Sequence, residues 1–63
     1  MPMPSGQDYD RAITTQTAAI RVNPTSALDY YIRGFAYSKL AQYEQANQDF
    51  DEAIRLDPSL KRP

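Results

Sequence analysis

The stretch Ala19-Ile20-Arg21-Val22-Asn23-Pro24 recurs 34 residues later as Ala53-Ile54-Arg55-Leu56-Asp57-Pro58. Tyr9 pairs with Tyr43, and Ala12 with Ala46, at the same interval. A fixed period of this size is the signature of a helical hairpin copied along a chain, in which each copy buries its apolar face on the next because it cannot do so alone. The spacing predicts an all-α repeat fold, and a role in recognition or assembly rather than in chemistry.

Working outward from this repeat, the pattern predicts three helices. The first covers about 9–22, with Asp8 as its N-cap and Tyr9, Ala12, Ile13, Gln16, Ala19 and Ile20 at helical spacing on one face. Asn23-Pro24 ends it, because proline holds the residue before it in extended geometry. Ser26 then caps a second helix over about 27–40, and Asp29, three positions on, predicts a capping box. Apolar residues cover most of the circumference of this helix, which predicts neighbours on several sides. Gly34 in its middle costs about 1 kcal/mol against alanine, so it marks a close approach by another helix. The third helix, about 43–56, places Tyr43, Ala46, Phe50, Ala53 and Ile54 on one face and ends at Asp57-Pro58. Residues 1–8 are expected to be disordered and 61–63 to form a tail. The first helix is expected to be the least stable, since Thr14, Thr15 and Thr17 are β-branched.

The chain has 63 residues, no cysteine, no histidine and a net charge of -1. It therefore lacks disulfides, the usual zinc ligands, a thiolate nucleophile and the commonest general base. Mixed charge gives no basic face for a phosphate backbone, so nucleic acid is not an expected partner. No apolar run approaches the roughly 20 residues of a membrane span, and the N-terminus lacks the features of a signal peptide. A cytoplasmic protein is the expectation, with the reservation that the repeat begins partway through a unit, as in a fragment.

Tyr30, Gly34, Tyr37, Ala46, Phe50, Ala53 and Pro58 together resemble a tetratricopeptide repeat, whose pattern runs aromatic-x-x-Leu-Gly-x-x-Tyr, then Ala-x-x-x-Phe, then Ala and Pro. Arg33 stands where the pattern has leucine, and Asp29, one turn earlier, is its expected partner. Upstream, Tyr9, Ala12, Ala19, Ile20 and Pro24 are similar to the second helix of a preceding repeat, with Gln16 where Phe50 stands in the full one. The resemblance implies an α-solenoid fragment of one and a half repeats: a second helix at 9–24, then a complete repeat at 25–60. Tyr9, Ala12, Ala19, Tyr30, Gly34, Tyr37, Tyr43, Ala46, Phe50, Ala53 and Pro58 are its expected packing residues.

The same resemblance places a ligand groove on the first helix of the complete repeat, with Leu28, Tyr31, Ile32, Phe35, Ser38 and Lys39 facing it. Two readings of this strip stay open: a platform for a peptide or partner helix, and packing against a neighbouring copy. Uncovered repeat faces imply either a homo-oligomer, docked or helix-swapped, or a marginal monomer. Tyr31 and Phe35 stand where some family members clamp the C-terminal carboxylate of chaperone tails with Lys and Asn, so that ligand is disfavoured. Asp49, Asp51, Glu52 and Asp57 are read as a solvated face and not a metal site, because successive helical residues diverge by about 100°. Glu52 and Asp51 are spaced to pair with Arg55. The expected function is a non-enzymatic protein-interaction module without a cofactor or metal, or else a self-assembly unit.

Overall fold

In the computed structural model, which describes residues 3–63, the first helix, α1, spans Gly6–Val22. It starts three residues before the expected Tyr9. Ser5, not Asp8, is its N-cap: the Ser5 hydroxyl accepts from the Asp8 N–H at 3.4 Å, and the Asp8 carboxylate accepts from the Ser5 N–H at 2.9 Å. This reciprocal box satisfies two donors that a helix start otherwise leaves open. The expected disorder of 1–8 is therefore corrected for residues 5–8, while Met1 and Pro2 lie outside the described residues. The hydrogen bond from the Ser5 N–H holds the Asp8 carboxyl below the ordinary aspartate value of 3.8.

α1 ends at Asn23, whose side-chain oxygen accepts from the N–H and hydroxyl of Thr25 at 3.3 and 2.9 Å. One period later the Asp57 carboxylate accepts from the N–H and hydroxyl of Ser59 at 3.1 and 2.7 Å. The repeat is thus kept at the level of side-chain-closed turns. The second helix, α2, spans Ala27–Lys39 with Ser26 as N-cap, yet the Ser26 side chain makes no cap hydrogen bond. The capping box expected with Asp29 does not form. Its cause is the turn: the Ser26 N–H, which Asp29 would have received, donates to the Asn23 carbonyl at 3.4 Å.

Leu40 closes α2, and Ala41 follows with a φ of 60°. The Gln42 N–H donates to the Tyr37 carbonyl at 2.9 Å and the Ala41 N–H to the Ser38 carbonyl at 3.1 Å. These two bonds form a Schellman motif, which satisfies terminal carbonyls through one left-handed residue. The third helix, α3, follows at once as Tyr43–Leu56.

α2 is the central element and packs on α1 and on α3. The core between α2 and α3 alternates small and large: Ala36, Ala46, Phe50 and Ala53 are buried, and Phe50 faces Gly34. A Cβ on Gly34 would lie 2.8 Å from the Phe50 ring, so the glycine is a steric requirement of the close approach. Tyr43 departs from the expected packing and is 63% exposed. Pro58 is also exposed and acts in the turn, not in packing. No residue of α1 is buried, and the Gln16 Oε1 is shut from solvent without a hydrogen-bond partner among the described residues.

Two stability changes follow. Ala41→Gly relieves a side chain from the left-handed region and is expected to stabilise by about 1 kcal/mol, a rise of roughly 4–8 °C in the thermal midpoint for a domain of this size. Gly34→Ala gains about 1 kcal/mol of helix propensity. It also crowds Phe50 at a typical overpacking cost of about 1–3 kcal/mol, so a net loss of about 1 kcal/mol is expected. Urea melts would show a smaller loss in a Phe50→Leu background, and an equal loss in both backgrounds would refute the steric reading.

Candidate partner-binding face

The inner side of α2 decides where its outer side points. Arg33 reaches α3, where its Nε and Nη2 each donate at 2.8 Å to the two carboxylate oxygens of Asp49. Its Nη1 donates to the Thr17 hydroxyl of α1 at 3.2 Å. The rings of Tyr30 and Tyr37 lie 5.7 and 5.9 Å from the guanidinium carbon, within cation–π range. The Asp49 side chain is only 7% exposed and that of Arg33 19%. The Asp49 hydrogen bonds push the already high Arg33 pKa up further, so the guanidinium is charged throughout the physiological range.

Two expectations are corrected here. Asp29 is not the partner of Arg33, because the residue chosen lies on a different helix, and Asp49 is not solvated. The signal for Asp49 was present: it stands three residues after Ala46 and four before Ala53, on the buried stripe of α3. The other carboxylates are used separately. Glu52 receives the Arg55 Nε at 3.1 Å, which holds its carboxyl low, and Asp51 pairs with Arg62 instead of Arg55. Among the described residues no group of acidic side chains is placed to hold a metal.

Opposite this joint, α2 presents the strip named from the sequence. Leu28 is 60% exposed, Phe35 38% and Ile32 36%, and Lys39 is exposed in line with them. Tyr31 and Ser38 are half-buried along one edge. The rings of Tyr31, Phe35 and Phe50 meet edge to face with centroids 5.3 to 5.9 Å apart, so the exposed Phe35 rests on a rigid aromatic base. The Tyr31 hydroxyl donates to the Lys61 carbonyl at 2.7 Å, and the Ser38 hydroxyl to the Phe35 carbonyl at 2.8 Å. The chain after α3 therefore folds back beside the strip, with Leu60 half-buried and the 61–63 tail tied to Tyr31 through the Lys61 carbonyl. The strip is open, and no pocket forms among the described residues.

A tetratricopeptide repeat profile matches residues 27–60, more than half of the chain. The chain belongs to the tetratricopeptide repeat family. It is 45% identical over 58 residues to the small glutamine-rich tetratricopeptide repeat-containing protein 2 of Saccharomyces cerevisiae, covering 92% of this chain and 17% of that protein. It is 38% identical over 55 residues to an SGT1 homolog of Oryza sativa subsp. japonica, covering 87% of this chain and 15% of that protein. A tetratricopeptide repeat and J domain-containing co-chaperone, DNJ1, of Cryptococcus neoformans var. grubii is 31% identical over 52 residues, covering 82% of this chain and 10% of that protein. The chain thus spans less than a fifth of the length of these relatives. No solved structure matches.

Removing one partner of a buried pair leaves the other charged and unpaired, at a cost of about 3–5 kcal/mol, whereas replacing both with apolar residues is often neutral. Arg33→Met and Asp49→Leu are each expected to cost about 3 kcal/mol, enough to unfold much of a domain this small at 25 °C. The double variant is expected to lie within about 1 kcal/mol of the parent in urea melts. Additive single losses would mean that the two side chains act independently.

Proposed function

We propose that this chain is a non-enzymatic protein-interaction module whose binding surface is the outer face of α2. The observation that carries this reading is the row of Leu28, Ile32 and Phe35, large apolar side chains left exposed in line on a helix whose inner side is fully engaged. Rigid, partly exposed aromatic and aliphatic side chains are the favoured anchors of protein interfaces. Membership of the tetratricopeptide repeat family, and relatives named as repeat-containing proteins and a co-chaperone, support the same class.

The C-terminal carboxylate of chaperone tails is a poor fit in this reading. Tyr31 and Phe35 offer that group no cation, and the Tyr31 hydroxyl proton is already committed to Lys61. Self-assembly of identical chains is a second reading, drawing on α1: it has no buried residue, Val22 at its end is 87% exposed, and the Gln16 oxygen has no donor among the described residues. No helix among the described residues is long and apolar enough to cross a membrane.

A photoreactive residue at Ile32 tests the face directly in cell extract. Leu28→Ser is expected to leave helicity and thermal midpoint nearly unchanged while lowering yield of the cross-linked partner tenfold or more, as for loss of a roughly 1.4 kcal/mol anchor. An undiminished yield in both Leu28→Ser and Phe35→Ala would sink this function. Light scattering on the parent chain separates the second reading, which requires a mass above one chain.

A further inference from the structure

Resting on the interaction reading above and deepening it, we propose that the occupant of this face is an amphipathic helix of a partner protein, lying lengthwise along α2 with apolar residues on Leu28, Ile32 and Phe35 and a carboxylate at the Lys39 end. Spacing is the first reason. Leu28, Ile32, Phe35 and Lys39 follow one another by four, three and four residues, the alternation that forms a continuous seam for a second helix crossing at a shallow angle. The seam is about 16 Å long at 1.5 Å per residue, or three turns of the occupant.

Hydrogen-bond accounting is the second reason. An extended peptide pressed on an apolar face must find partners for its own backbone N–H and C=O groups. Here the two side-chain hydroxyls of the strip donate inward, Tyr31 to the Lys61 carbonyl and Ser38 to the Phe35 carbonyl. The α2 backbone behind them is spent on its own helix. A helix needs nothing from the face, since its backbone is satisfied internally. The surface is therefore suited to an occupant that brings its hydrogen bonds with it.

Charge chooses the partner. Lys39 is the charged member of the seam, exposed, and in no ion pair among the described residues. A second copy of α2 docked on this seam would set Lys39 against Lys39 if parallel, or bring it over Leu28 if antiparallel. A partner helix with a carboxylate at that position matches it in either direction.

The probe is an 18-residue alanine-based peptide with leucines spaced three and four apart and a glutamate at each end of the leucine stripe, followed by fluorescence anisotropy with the full chain. Saturable binding is expected, weakened about tenfold by Leu28→Ser. Lys39→Glu is expected to weaken it about fivefold, with recovery when the glutamates become lysines. Equal affinity for a peptide of the same composition interrupted by two prolines would overturn the helical occupant while leaving the interaction face standing. Indifference to Lys39→Glu would overturn the carboxylate, and a dimer of the chain that Leu28→Ser dissolves would make a second copy the occupant. Failure of every peptide would overturn the proposal, with the cross-linking at Ile32 deciding separately whether the face binds a partner at all.

Discussion

The Arg33–Asp49 pair is the constraint on which the arrangement of the three helices turns. Its two 2.8 Å bonds join α2 to α3, and the third bond of the guanidinium, to Thr17, brings in α1. Such a pair is weak as a source of net stability, because withdrawing both charges from water costs about as much as their attraction returns. Its effect is on geometry. Arg33 follows Leu28 by five residues, which places it about 140° around the helix. A rotation of α2 that buried Leu28 would pull Arg33 away from Asp49 and leave a charge unpaired. The ion pair inside thus holds the apolar seam outside.

Around that pair the packing is economical. Ala36, Ala46 and Ala53 let the helix axes approach, Gly34 makes room for a ring, and Phe50 fills the space. Phe50 also forms the base on which Tyr31 and Phe35 stand, so one buried ring serves both the core and the candidate interface. α1 is held differently. It meets α2 through half-buried residues and the Thr17 contact, and Gln16 stands where a ring would otherwise anchor it. Of the three helices, α1 alone has no buried residue.

Two Ser-x-x-Asp segments show how local patterns are overruled. Ser5 to Asp8 and Ser26 to Asp29 carry the same capping signal, but only the first forms the box. Before Ser26 the turn closed by Asn23 already takes the N–H that the box would use. The signal is genuine in both places, and the competing hydrogen bond decides. Ala41 shows the converse, since a non-glycine residue takes a left-handed conformation because the Schellman bonds to Tyr37 and Ser38 require it.

The sequence by itself determined the helical repeat, the turns at Asn23 and Asp57 and the glycine at the closest helix contact. These are readable because helix periodicity and turn chemistry act over three or four neighbouring residues. Only the tertiary structure decided that Arg33 pairs with Asp49 rather than Asp29, that Tyr43 stays exposed, and that the chain after α3 returns to Tyr31. The two pairings join residues 16 and 30 positions apart. Their outcome is set by the rotation and crossing of whole helices, which no local pattern specifies.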